Sequence, residues 1–167
     1  MAVYYFDANA VVKYYVLEPG STWIREIVNE QGTGAISRTN TVFISDASIT
    51  ESAAGFAVLF RMNRIRRSTR DRVFQAFIKH ITIGLFRTIP VGPEDFRSAA
   101  YLAQDYPLKG YDAVQLAVAR RQNTVLALRG IPLTFVSGDN TLVNAARGEN
   151  LRVANPFDHI SPVDRSG

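Results

Sequence analysis

Cysteine is absent from the 167 residues. That excludes disulfides, thiolate metal sites and cysteine nucleophiles, and it fits a reducing compartment. Histidine is nearly absent as well. His80 and His159 are the only two, and neither has the spacing of a metal-ligand pair. His80 lies in an amphipathic helical pattern and reads as a surface or boundary residue. No G-x-S-x-G, H-E-x-x-H or P-loop pattern occurs. The "GTG" at Gly32 to Gly34 follows a helical pattern instead of a strand, so it is not a dinucleotide loop. No apolar stretch approaches the ~20 residues needed to span a bilayer. Asp7 interrupts the first apolar run, so a secretory signal is not expected and the cytoplasm is the expected location. Internal repeats, low-complexity segments and linkers are also missing.

What is present suits a single domain with a full core, since apolar residues make up 47% and charged residues 20%. Trp23 and the many Tyr and Phe residues are expected to pack it. Net charge is +4, and "RMNRIRRSTRDR" concentrates six arginines: Arg61, Arg64, Arg66, Arg67, Arg70 and Arg72. Such a run is either a solvated helical corner or a patch for phosphates or an acidic partner.

Short β-rich runs alternate with helical patterns. "VYYF", "TVFIS", "LFRTIPV" and "PLTFVS" read as strands, with "LRVANP" as a fifth. Helices are expected over "ANAVVKYYVLE", over "STWIREIVNEQG" with Ser21 as N-cap and Gly32 just past its end, and over "SITESAAGFAVLFRMNR". The last of these opens on a capping-box pattern from Ser48 to Glu51. Further helices fit "STRDRVFQAFIKHIT", "PEDFRSAAYLAQD", "GYDAVQLAVARRQN" and "NTLVNAARGE", and "TVLALRG" either extends the helix before it or loops. The pattern predicts an α/β domain, doubly wound, with a mostly parallel sheet of four to five strands and helices on both faces. Residues 158–167 read as a poorly ordered tail.

In such sheets ligands bind outside the carboxyl ends of the strands. Four acids fall at such places. Asp7 follows the first strand, Glu51 opens the helix after the second, Asp112 lies in the first turn of "GYDAVQLAVA", and Asp139 follows "TFVSG". Each has an ordinary structural explanation: N-caps for Asp7 and Asp139, a capping box for Glu51, the helix dipole for Asp112. Helical spacing argues otherwise. Glu51 shares a face with Gly55, Val58, Leu59 and Met62, and Asp112 with Leu116 and Ala119. An acid that continues a core-facing stripe is aimed inward, where an unpaired charge is costly. No Lys or Arg stands at i+3 or i+4 to pair with either. Several carboxylates brought to one sheet edge would make a hard-oxygen site of the kind Mg²⁺ or Mn²⁺ prefers.

At these residues the sequence resembles the PIN-domain family, and within it the VapC-type ribonuclease toxins of toxin–antitoxin pairs. The matching stretches are "YFDANAVVKYYVLEPGS", "ITESAAGF", "LKGYDAVQLAVA" and "FVSGDNTLVNAARGENLRVANP", collinear from about residue 3 to 157. The resemblance implies a PIN-like nuclease domain over residues 1–157, a Mg²⁺ or Mn²⁺ cofactor and endonucleolytic cleavage of RNA. It also implies a homodimer and a cognate antitoxin protein. Carried over by position, Asp7, Glu51, Asp112 and Asp139 are the catalytic and metal-binding residues, with Ser137 in support. Asn9 stands where many relatives carry Ser or Thr, and an amide there can still hydrogen-bond a carboxylate or a metal-bound water. Arg64, Arg66 and Arg67 are expected to contact RNA phosphates. Two other readings fit an Asp after the first strand. One is a phosphatase of the haloacid-dehalogenase type with Asp7 as nucleophile. The other is a PIN-like module that binds RNA without cutting it.

Overall fold

Tyr4 and Phe6 face one side of the first strand, Val3 and Tyr5 the other, and this alternation divides the protein into two cores. The computed structural model describes residues 2–30 and 40–165. Five strands, β1 (Val3–Phe6), β2 (Thr41–Ser45), β3 (Arg87–Ile89), β4 (Leu133–Val136) and β5 (Arg152–Ala154), form one sheet in the order β3-β2-β1-β4-β5. Every pairing is parallel. Central β1 sets Tyr4 beside Val42 on one flank and Thr134 on the other. A parallel sheet needs crossovers, and these cover both of its faces.

Helices α1 (Ala8–Tyr15), α2 (Ser21–Asn29), α3 (Asp46–Arg61) and α4 (Arg67–Thr82) pack on the Phe6 side around Val11, Ile24, Phe56 and Phe77. Helices α5 (Pro93–Asp105), α6 (Gly110–Ala127) and α7 (Asn140–Gly148) pack on the Tyr5 side around Leu102, Leu116 and Leu142. The doubly wound α/β architecture expected from the alternating patterns is therefore present. "TVLA" extends α6 instead of looping. Trp23 packs against the first of these cores from a half-buried position. The "GTG" at Gly32 to Gly34, and with it the proposed stop at Gly32, lies outside the described residues.

Two helix starts differ from their sequence signals. Helix α3 begins at Asp46, because Ser45 leaves the sheet in an extended conformation and its side chain accepts from the Ser48 N–H at 3.2 Å. The capping box from Ser48 to Glu51 is not used, and Ser48 lies inside the helix. Helix α2 has Gly20, not Ser21, at its N-cap, with φ +87°. A Cβ there would meet the Pro156 carbonyl oxygen at 2.4 Å, so close approach and backbone both require glycine. Ser21 Oγ instead accepts from the Glu18 N–H at 2.8 Å and donates to the Val16 carbonyl at 3.0 Å.

The segment after residue 157 also departs from expectation. Two 3-10 turns, Pro156–His159 and Val163–Arg165, carry it back to the start of α2. There the buried Asp164 accepts from the N–H groups of Gly20, Thr22 and Ser161 and from the Thr22 hydroxyl. The His159 ring stacks on Trp23 at 4.2 Å between centroids. These contacts give residues 158–165 a definite place, supplied by partners more than a hundred positions away in the chain.

Candidate active site

The sheet order changes direction at β1, with β2 and β3 to one side and β4 and β5 to the other. The carboxyl ends of β1 and β4 therefore flank a crevice, the usual ligand position in open parallel sheets. Asp7 follows β1 directly. Its Oδ1 accepts from the Ala10 N–H at 2.8 Å, which caps α1, and its Oδ2 accepts from Ser137 Oγ at 2.5 Å. Ser137, just past β4, also accepts from the Asp139 N–H at 3.0 Å. Asp139 caps α7, its Oδ1 accepting from the Thr141 and Leu142 N–H groups. Both acids thus do serve as N-caps, and a single serine hydroxyl ties the two caps together.

Glu51 lies in the second turn of α3 and Asp112 in the first turn of α6. Gln115, one turn after Asp112, donates from Nε2 to Glu51 Oε2 at 2.5 Å. Asp7 is buried, Glu51 and Asp112 are half-buried, and Asp139 is exposed. The four therefore grade from buried to exposed.

Their electrostatics link them. Burial pushes the Asp7 carboxyl up to about 7, against its hydrogen bonds from Ser137 and Ala10 and with help from the charges of Glu51 and Asp112. Burial also raises Glu51; the Gln115 hydrogen bond opposes this and the Asp112 charge adds to it. Asp112 is raised by burial and by Asp139, against the pull of Lys109. Among the described residues, no Lys or Arg forms an ion pair with any of the four. Excess negative charge of this kind favours a cation, and the donors are all hard oxygens. No three acidic or histidine side chains among the described residues converge closely enough to enclose a metal ion. The donor set still fits Mg²⁺, which keeps several waters and needs only one or two carboxylates.

The stripe from Glu51 divides. Leu59 is buried, but Val58 is 41% and Met62 61% exposed, so this side of α3 does not run wholly into the core. Instead Asn9, Val12, Glu18, Glu51, Val58 and Leu59 line an open pocket of about 290 Å³ between α1 and α3. Gly55 lets these helices approach, since a Cβ there would stand 2.9 Å from Val12 Cγ2. Exposed Asn9 faces the loop after β4, its Oδ1 lying 2.5 Å from where a Cβ on Gly138 would sit. Arg64, Arg66 and Arg67 are all exposed at the corner between α3 and α4.

Two residues of this region carry no strong mark in the sequence. Lys13 is 2% exposed, with Nζ 3.4 Å from Glu18 Oε2 and 4.4 Å from the centre of the Phe157 ring. Gln115 is a lone amide in the apolar run "AVQLAVA", and that incongruity was its only signal. His80, the boundary residue, is half-buried with Nδ1 2.9 Å from the Tyr15 hydroxyl.

The PIN domain family model matches residues 4–147, which includes all four acids. The chain belongs to the PIN domain family. The PIN fold is also seen in solved structures with little sequence in common. VapBC2 from Rickettsia felis, determined bound to a DNA fragment from its promoter, aligns with TM-score 0.57 and 14% identity, over 92% of this chain and 98% of that one. A toxin–antitoxin complex from Klebsiella pneumoniae aligns with TM-score 0.52 and 18% identity, over 94% and 98%. No curated protein matches the chain. No helix of the described residues is long and apolar enough to cross a membrane.

Proposed function

We propose that this PIN domain protein is a Mg²⁺- or Mn²⁺-dependent endoribonuclease, the toxin of a toxin–antitoxin pair, acting in the cytoplasm as a homodimer. The observation that carries the reading is that Asp7, Glu51, Asp112 and Asp139, from four separate stretches, are linked through Ser137, through Gln115 and by their mutual charge, and that among the described residues none of them forms an ion pair with a Lys or Arg. One or two of Asp7, Asp112 and Asp139 would hold the metal directly and the rest through its waters, and Glu51 would reach it directly or through water. When bound, the metal lowers the pKa of water and offsets charge on the scissile phosphate.

The chain's own groups do the rest. Ser137 holds Asp7 in orientation. Asp139 spends one oxygen on its helix cap and keeps the other for the crevice. Glu51, its carboxyl raised by burial, is suited to take a proton from the attacking water. Asn9 presents an amide beside the loop that carries Asp139. Arg64, Arg66 and Arg67 would bind flanking phosphates without regard to sequence, so selectivity must come from exposed bases and shape. The structural likeness to two toxin–antitoxin complexes supports a protein partner. The pocket between α1 and α3, lined by apolar side chains together with Glu18 and Glu51, suits an antitoxin segment that brings apolar side chains and a cation.

The family match over residues 4–147 favours the nuclease over the phosphatase alternative, and a trapped aspartyl-phosphate on Asp7 would reverse that preference. The test is cleavage of single-stranded and loop RNA by purified, partner-free protein. Chelator should abolish it, and Mg²⁺ or Mn²⁺ should restore it. Full activity after exhaustive chelation would overturn the metal mechanism. Binding without cleavage under any metal would leave the non-catalytic module. Co-expression with the product of the adjacent small gene should yield a complex and relieve growth arrest.

A further inference from the structure

We propose that Gln115 is a positioning residue for Glu51, acting through a buried hydrogen-bond junction that joins the centre of the sheet to that carboxylate. The proposal rests on the reading of the crevice as a divalent-cation nuclease site.

Gln115 is 1% exposed and lies within a run of α6 whose other members, Ala113, Val114, Leu116, Ala117, Val118 and Ala119, are all buried and apolar. An amide among such residues is costly unless every polar atom is paired. Here every one is. Nε2 donates to Glu51 Oε2 at 2.5 Å and to Ser48 Oγ at 2.9 Å. Oε1 accepts from the Tyr5 hydroxyl at 2.6 Å and from Ser45 Oγ at 3.0 Å, with Ser48 Oγ 3.2 Å away. The orientation of the amide follows from its neighbours. An ionised carboxylate can only accept, so Nε2 must face Glu51, and the phenol of Tyr5 then donates to Oε1.

The junction collects one group from β1, one from β2, two from α3 and one from α6. Tyr5 and Ser45 belong to paired central strands, and the Tyr5 ring stacks on Phe135 of β4 at 5.6 Å. Glu51 itself is half-buried on the wall of the open pocket. Among the described residues, Oε1 of Glu51 has no hydrogen-bond partner. One oxygen is therefore tied to the rigid sheet, and the other remains for water or a cation. A carboxylate held in one rotamer by a fully paired buried network is preorganised for such a task. Asp112, three residues before Gln115, starts the same helix, so one element aligns both acids.

A purely structural role would be to satisfy Tyr5, Ser45 and Ser48, with Glu51 an incidental partner. A double-mutant cycle separates the two. Wild type, Gln115→Met, Glu51→Gln and the double variant are compared by Mn²⁺ affinity from electron paramagnetic resonance titration, by kcat and KM on a short fluorogenic RNA, and by melting in chelator. Gln115→Met should lower Mn²⁺ affinity or kcat by ~10–100-fold, as loss of a ligand-orienting partner does, with KM within ~2-fold. In the Glu51→Gln background the same change should cost less than ~2-fold, because its route of action is gone. Tyr5→Phe keeps the ring on Phe135, removes one donor to Oε1, and serves as the test variant if Gln115→Met does not fold. Its loss should be smaller and likewise vanish without Glu51. Multiplicative losses, or unchanged kcat and Mn²⁺ affinity with only a lower melting temperature, would overturn the proposal. A wild type that neither binds Mn²⁺ nor cleaves RNA would remove the reading of the site, and this proposal with it.

Discussion

Replacing Asp7 by Asn separates a helix cap from a member of a carboxylate cluster. The folded-state pKa of Asp7 is raised from the ordinary 3.8 to about 7, chiefly by burial. That rise puts the cost of ionising it in the fold at ~4 kcal/mol. The sign follows from the direction. A raised carboxyl favours the fold fully below the unfolded pKa, and that contribution is lost as pH rises through about 7. Asn cannot ionise, so the variant should not show this decline. It should keep the Ala10 cap, because Asn caps about as well as Asp. It turns an amide toward the Ser137 hydroxyl, a mismatch costing ~1 kcal/mol. In chelator at pH 8 the variant should therefore be more stable by ~3 kcal/mol, or ~6–12 °C in melting temperature for a chain of this size. Near pH 4 the advantage should vanish or reverse. With Mn²⁺ at a hundred times its Kd the wild type should regain ~2.7 kcal/mol and the variant much less, with cleavage lower by orders of magnitude. The assay is thermal melting from pH 4 to 8 in chelator and in Mn²⁺, alongside cleavage rate. A Mn²⁺-induced melting shift and a cleavage rate equal to wild type in Asp7→Asn would refute the cluster and leave Asp7 a buried cap.

Three further outcomes are expected. Replacing Arg64, Arg66 and Arg67 with Gln should weaken RNA binding across sequences and reduce the slope of log K against log salt by ~0.7 for each phosphate no longer neutralised; an unchanged slope would assign them to solvent or to a protein partner. Asp164→Ala should lower stability by ~2–3 kcal/mol, read by urea denaturation, because it strands the Gly20, Thr22 and Ser161 N–H groups. Asp164 is held at about 2 by those hydrogen bonds against the effect of burial, so its contribution should be present above pH 4 and lost as pH falls through about 2. Among the described residues Ser52 Oγ is buried with no hydrogen-bond partner, so Ser52→Ala should raise stability by ~1 kcal/mol in the same denaturation; a decrease would mean that the hydroxyl has a partner.

Much of this protein was legible in one dimension. Short β-rich apolar runs such as "VYYF" and "TFVS" separated by helical patterns leave a parallel sheet covered on both faces as the economical solution, because such strands must bury both sides. The position of Asp7 and Asp139 directly after strands puts them at the carboxyl edge, since in a parallel sheet all strand ends of one kind share an edge. Tertiary structure decided matters that depend on partners remote in sequence. Ser45 won the cap of α3 because β2 ends there, which left Ser48 free to join Gln115, 67 positions away. Val58 and Met62 continue an apolar stripe, yet both are exposed, Val58 on the wall of the pocket, because a helix period states which residues share a face and not what that face meets. Asp164 and its tail looked polar and unconstrained, but the bare N–H groups at the start of α2 give it a buried berth. Gln115 reads as an oddity in an apolar run, and only the convergence of two strands and two helices shows what its amide holds. Local pattern sets where charges enter the sheet edge, and long-range packing sets how far each is dried, paired and aimed.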